Sequence, residues 1–272
     1  MFSKRFLIAA LCAYLAISAQ AFGRDRSDDR FELSAGVYLV SFDTNTRIGG
    51  LGPGGGTTIS LENDLGMDSD ETELFALGRW YFAKRHSLGI SYLDFDRTGE
   101  IVLRRDLQIE DTLFTIGLNV DSFLDYNVLA FDYRYAVFAT DKLDAGVVLG
   151  LSLIDFNVGV ASTTVINDNE LIKLEEAEGE EYPVPSFGLD LKYEIVPDVY
   201  LRGGFGYLDY SASNWEASLL ILGAELQYFP WRNVGFSVGY NRVEIEYDEE
   251  KNDPFNVDFT YDGLLGRVIT RF

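Results

Sequence analysis

The chain has 272 residues, a formal net charge of −22 and 47% hydrophobic residues, enough for one large domain or two small ones. Such acidity argues against a nucleic-acid partner, because phosphates are held by Lys and Arg. Six Pro, 26 Gly and 14% aromatic residues, with Tyr and Phe far ahead of Trp, suit many strands and few helices.

Residues 1–21 read as a cleaved secretory signal: Lys4 and Arg5, an apolar run from Phe6 to Ile17, then Ala19-Gln20-Ala21 as a small-x-small cleavage site. Cleavage removes two cations and no acid, so the mature chain is more acidic still. It also removes Cys12, the one cysteine, which excludes disulfides, thiolate catalysis and Cys-based metal sites. No later stretch approaches the run of about 18 apolar residues that a spanning helix needs, so any membrane crossing must use strands. The plan is a signal over 1–21 and a strand domain over 22–272.

From residue 30 the pattern has period two, which puts alternate side chains on opposite faces of a strand. Phe31, Leu33, Ala35, Val37 and Leu39 alternate with Glu32, Ser34, Gly36 and Tyr38. Leu129, Phe131, Tyr133, Tyr135 and Val137 do so against Ala130, Asp132, Arg134 and Ala136, and Phe187, Leu189, Leu191, Tyr193 and Ile195 against Gly188, Asp190, Lys192 and Glu194. Four short polar connections, Ala83-Lys84-Arg85-His86, Ala139-Thr140-Asp141-Lys142, Pro197-Asp198 and Pro230-Trp231-Arg232-Asn233, alternate with long acidic or Gly-rich stretches. Short turns at one end and long loops at the other mark a membrane barrel rather than a soluble sandwich.

The turns divide the chain into segments 30–82, 87–138, 143–195, 199–229 and 234–272. Their midpoints, Gly56, Thr112, Asn169, Asn214 and Asp253, all fall on turn chemistry, as hairpin tips should. This predicts an all-β, closed antiparallel up-and-down barrel of ten strands. Twelve is the alternative, if residues 100–120 form a further spanning hairpin. That hairpin would set Arg105 near the middle of an apolar face, at a cost of roughly 2–4 kcal/mol at the bilayer midplane, so a protruding extension of strands three and four is preferred.

Aromatic residues gather near the short turns (Trp80, Tyr81, Phe82, Phe138, Tyr228, Phe229, Trp231). A second belt is expected from Tyr92, Phe95, Phe156, Tyr207, Tyr210, Trp215 and Tyr247. The signal, the hairpins and the closing stretch "DGLLGRVITRF" resemble Gram-negative outer-membrane β-barrel proteins in the broad OmpA/OmpW-like sense. The resemblance implies residence in the bacterial outer membrane among its lipid and lipopolysaccharide, and a monomer assembled by the barrel assembly machinery. It makes Leu264, Gly266, Val268 and Phe272 the assembly signal. Thr270 departs from the apolar or aromatic residue usual at that place.

Lumen-facing candidates are Arg79, Asp132, Arg134, Asp190, Lys192, Glu194, Arg202, Glu225 and Arg267, read either as the constriction of a pore or as a salt-bridge network filling a narrow interior. The mature chain has one histidine, His86, in a short turn. Barrel proteases, palmitoyltransferases, deacylases and phospholipases resemble one another in needing a histidine at the outer mouth or the lipid-facing wall, so His86 is expected to be a solvated turn residue. The acidic groups Glu62, Asp64, Asp68, Asp70, Glu71 and Glu73, then Glu175, Glu176, Glu178, Glu180 and Glu181, and Asp248, Glu249 and Glu250, lack the spacing of a calcium loop and read as solvated surface on long extracellular hairpins. "GPGGGT" lacks the Lys-Ser/Thr of a P-loop and reads as a hairpin tip. Neither cofactor nor metal is expected. The functional expectation is a non-enzymatic barrel with a structural or interaction role at the surface. The alternatives are a narrow cation-preferring channel and a barrel enzyme.

Overall fold

The computed structural model describes residues 29–48, 57–109, 112–166, 170–211, 215–249 and 255–272. The proposed signal, the acidic side chains from Glu175 to Glu181, Glu250, and the tips at Gly56, Asn169, Asn214 and Asp253 lie outside the described residues. Ten long strands form the wall: β1 (Phe31–Ile48), β3 (Asp70–Ala83), β4 (His86–Val102), β7 (Asn119–Ala139), β8 (Leu143–Ile166), β9 (Glu170–Val196), β10 (Val199–Ser211), β11 (Trp215–Tyr228), β12 (Val234–Glu249) and β13 (Phe255–Arg271). Each pairs antiparallel with its neighbour, and β13 returns to β1 from Glu32↔Arg271 to Ile48↔Phe255. Closure joins the last strand to the first, so neither is left as a free sheet edge, which a membrane demands.

The four short connections lie where the sequence puts them, and each hairpin register centres within two residues of its segment midpoint. The apolar alternation faces outward. Val37, Leu39, Ile90, Phe131, Leu149, Phe187, Leu189 and Leu264 are all more than two-fifths exposed, a belt that only lipid would cover.

Three short strands complete the fold: β2 (Thr58–Ser60), which pairs with Asn45–Arg47 of β1, and β5 (Leu107–Ile109) with β6 (Thr112–Phe114). They revise the protruding extension. The β4–β7 ladder does continue to Val102↔Asn119, but residues 103–109 and 112–118 then leave the wall. They pack on residues 57–69, burying Ile59, Leu61, Leu65 and Met67 with Leu103, Leu107, Ile109 and Phe114. Backbone bonds tie the two segments, Thr57 N donating to the Gln108 carbonyl at 2.9 Å. Arg105, whose charge told against a spanning strand, donates instead to Asp64 and to the Thr58 carbonyl. Ser122, on the inner face of β7, donates to the Leu65 carbonyl at 3.2 Å, which seats this cap on the inside of the barrel's outer end.

The aromatic expectation needs correction by parity. Trp80, Phe82, Phe138, Tyr228 and Trp231 face outward near the short turns, but Tyr81 shares the inward parity of Arg79, and Phe229 is buried. On the other side Tyr92 and Tyr207 face outward, whereas Phe95 is fully buried in the interior and Tyr210 and Tyr247 line an internal cavity. The side chains of Phe156 and Trp215 lie outside the described set.

Candidate functional site in the barrel interior

The interior has two regions stacked along the barrel axis. Nearest the short turns, the inward positions are charged. Arg79 donates to Asp132 at 3.0 Å and to Ser87 at 3.1 Å. Gly89 makes room for this pair, since a Cβ there would collide with an Asp132 carboxylate oxygen. Arg134 bridges Asp190 and Asp144, the latter at 2.7 Å. Arg202 stands 3.8 Å from Asp190 and 3.7 Å from Glu32, and Arg271 donates to Glu32 at 2.9 Å. Arg271 also reaches Gln227, which donates to Glu225, and Arg267 holds Glu225 with two donors at 2.6 and 2.7 Å. A chain of opposite charges, joined at one step through the neutral Gln227 amide, thus crosses the lumen from Arg134 to Arg267. Lys192 lies over the Tyr200 ring, 4.4 Å from its centroid. Glu194 sits at the short-turn end of the same face, where its amide donates to the Lys142 carbonyl. The residues read from sequence are joined by Glu32, Asp144, Gln227 and Arg271, which sequence reading did not single out. Glu32 did share the polar face of β1 with Ser34.

Above this chain the same inward face turns apolar. Tyr38, Phe42, Phe95, Tyr126, Phe259 and Tyr261 pack ring against ring, with Phe42–Phe95 centroids 5.0 Å apart at 89° and Tyr126–Phe259 5.0 Å apart at 61°. Such edge-to-face pairs are the favoured arrangement of aromatic quadrupoles. No local signal marks this layer, because its members come from β1, β4, β7 and β13.

The layer is locked to the cap by Arg97, 1% exposed. Its guanidinium lies 4.2 Å from the Phe42 centroid and donates to Glu62 at 2.8 Å, the Asp68 carbonyl at 2.7 Å and Thr44 Oγ1 at 3.3 Å. Glu62 also accepts from the Thr44 amide at 3.1 Å. Burial pushes the Asp64 carboxyl up, but hydrogen bonds from Arg105 and the Ser60 amide outweigh it and hold the group below its ordinary range. Glu62 and Asp64, expected on a solvated surface, are therefore structural parts of the cap.

His86 sits in the short-turn girdle, its Nδ1 2.6 Å from the Tyr133 hydroxyl. Its ring belongs to an outward aromatic row that runs from Phe272 through Phe31, Trp80 and Phe82 to His86, then Tyr133 and Tyr135, with neighbouring centroids 5.1–6.2 Å apart. Leu264, Gly266 and Val268 lie on the outer face of β13 opposite Leu39, Val37 and Ala35. The Phe272 carbonyl accepts from the amides of Arg30 and Phe31.

No family model and no curated protein sequence matches the chain. Among solved structures it is similar to the outer membrane protease OmpT from Escherichia coli, with TM-score 0.59, 10% identity, and coverage of 93% of this chain and 99% of that one. The chain has the fold of a Gram-negative outer-membrane β-barrel. The outer-membrane protein AlkL (TM-score 0.40, 13% identity, 93% and 95% coverage) and Ail of Yersinia pestis (0.33, 9%, 87% and 98%) also match, more loosely. With its apolar belt, this outer-membrane barrel belongs in the bacterial outer membrane. Identities this low speak to the fold alone.

Proposed function

We propose that this outer-membrane barrel is a closed, non-enzymatic scaffold whose acidic outer hairpins serve a structural or interaction role at the cell surface. The observation that carries this reading is the filled interior, with an ion chain at one level and an aromatic layer and inserted cap at the next. Arginines and carboxylates that pair with one another across a narrow lumen, with an aromatic layer and a cap above them, leave little for a hydrated ion to follow. The placement of His86 supports the non-enzymatic part, since its ring is held among aromatic girdle residues at the short-turn end. The reading includes a monomer in lipid and lipopolysaccharide, with Leu264, Gly266, Val268 and Phe272 read by the barrel assembly machinery. Purified protein in a planar lipid bilayer is expected to stay electrically silent, and steady, reproducible channel steps would overturn the proposal.

A narrow cation-preferring channel is the second reading, favoured by one observation. A Cβ at Gly204 would meet no atom within 4 Å, so the ion chain leaves space on that side. This reading predicts conductance that changes when Arg79, Arg134 and Arg202 are neutralised.

A further inference from the structure

Two ladders of the wall stop short of the ends of their strands: β3–β4 at Phe75↔Leu93, beyond which the cap meets β4 through the Met67↔Gly99 bridge, and β9–β10, where no described segment is bridged to the gap. The β9–β10 ladder runs from Val199↔Val196 to Tyr207↔Phe187 and stops. Both strands continue, β9 pairing onward with β8 as far as Ile166↔Glu170 and β10 with β11 as far as Ser211↔Glu216. Above Phe187 and Tyr207 the two strands part, leaving a slit in the side of the barrel. At that height β9 carries Pro183 and Pro185. Proline has no N–H and is tolerated at sheet edges but not inside a continuous ladder, so the sequence itself keeps this seam from zipping.

Behind the slit lies a cavity of about 350 Å³. Ile154, Leu208, Leu219 and Val257 line it, with Tyr126 and Phe259 of the aromatic layer as one wall, and Pro183 and Pro185 stand at its mouth. The Tyr126 hydroxyl is engaged by Tyr261. Of the described residues around the cavity the only charged one, Glu246, has outward parity and belongs to the rim. Among the described residues no cation and no inward carboxylate faces the cavity, so a charged guest would shed its hydration against a largely apolar lining, at a cost of several kcal/mol, whereas a hydrocarbon loses nothing. The volume lies within the roughly 300–1,000 Å³ of small-molecule pockets and above the roughly 150 Å³ of a dry apolar cavity that takes up benzene.

The outer surface shows where a guest would come from. Leu151, Leu153, Phe187, Leu189, Phe205 and Tyr207 flank the foot of the slit on the lipid-facing belt, all more than two-fifths exposed. Just beyond them the outward positions become polar at Asp155 and Asp209. The mouth therefore sits where the hydrocarbon of the outer leaflet meets its headgroups.

We propose that the outer half of this barrel is a binding site for a small, uncharged, non-polar molecule dissolved in the outer leaflet, reached sideways between β9 and β10. The site needs no aqueous pore, so it is compatible with an electrically silent barrel.

Benzophenone, an uncharged photoreactive aromatic, tests this on the full chain folded into phosphatidylcholine vesicles. Irradiation is expected to give adducts on the cavity residues around Val184, Leu208 and Leu219, mapped by mass spectrometry. Filling the cavity with Leu219→Trp, or independently with Ala217→Phe, should cut those adducts about tenfold, the effect of a 1.4 kcal/mol loss in affinity. Adducts on belt residues should persist, and heat-modifiable gel migration verifies folding of each variant. Excess cyclohexane should suppress the cavity adducts, while added phosphatidylcholine at the same molar excess should not. Labelling confined to the belt, or unmoved by both filling variants, overturns the site. Suppression by phosphatidylcholine but not by cyclohexane overturns the free molecule in favour of a lipid tail.

Discussion

The two halves of the barrel interior are built from the same ten strands with the same inward parity, yet they solve the filling of a narrow lumen in opposite ways. Near the short turns, arginines and carboxylates pair across the space, as in Arg267–Glu225 and Arg134–Asp190. Near the long hairpins, aromatic rings and a folded-in cap exclude water. The charged half depends on every partner being present, because each buried ion is tolerable only when matched. The apolar half tolerates a gap, because an empty dry cavity costs contacts but strands no charge. The parting of β9 and β10 occurs in the apolar half.

The largest expected effect breaks the charged half. Arg267→Ala leaves Glu225 buried without its two donors and should destabilise by about 3–5 kcal/mol. This is read as a lower temperature for the gel shift from folded to unfolded. Replacing both residues by Leu should recover much of the loss, since no lone charge remains. Next is the join between the apolar half and its cap. Arg97→Met removes the donors to Glu62, Thr44 and the Asp68 carbonyl. It should cost about 1–3 kcal/mol and expose residues 57–69 to added protease while the wall stays intact.

A comparable effect separates two glycines. Gly89→Ala forces Asp132 away from Arg79 and should cost about 1–3 kcal/mol, whereas Gly204→Ala enters open space and should stay within about 0.5 kcal/mol of wild type. The smallest is pH-dependent. The Asp64 carboxyl is held below its ordinary value of 3.8 in the folded cap, so its contribution is present above that value and is lost as pH falls below it. The pair is partly exposed, Arg105 at 47%, and is worth at most about 1 kcal/mol. Protease nicking at residues 103–118 should rise only in acid, and Asp64→Asn should remove the pH dependence.

Most of the wall was legible because a strand in lipid advertises itself locally. Phe187, Leu189 and Leu191 alternate with Gly188, Asp190 and Lys192 whatever the rest of the chain does, and short turns such as Pro197-Asp198 punctuate them. The charged candidates were legible for the same reason, as polar residues on a known face. What escaped depends on partners far along the chain. Tyr38, Val40 and Phe42 continue the polar parity of Glu32 and Ser34, so the change to an apolar interior is invisible until β1 meets β4, β7 and β13. Glu62 and Asp64 look like any acidic loop until Arg97 and Arg105 arrive from 35 and 41 residues away. The slit left one local trace, the alternate prolines of β9, whose meaning depends on where the ladder to β10 ends.

The seam between β1 and β13 joins Phe31 to Phe272, with the Phe31 amide donating to the Phe272 carbonyl at 2.8 Å and the Phe272 amide returning a bond to the Phe31 carbonyl at 3.0 Å. These are among the most distant partners in the sequence, so bringing them together carries one of the largest loop-closure costs in the fold. Without that seam the ten strands would be an open sheet with two bare edges and an oily outer face, a template for sticking to its own kind. The rings of Phe31 and Phe272, 5.8 Å apart, thus act as a clasp whose fastening turns an aggregation hazard into a finished membrane protein.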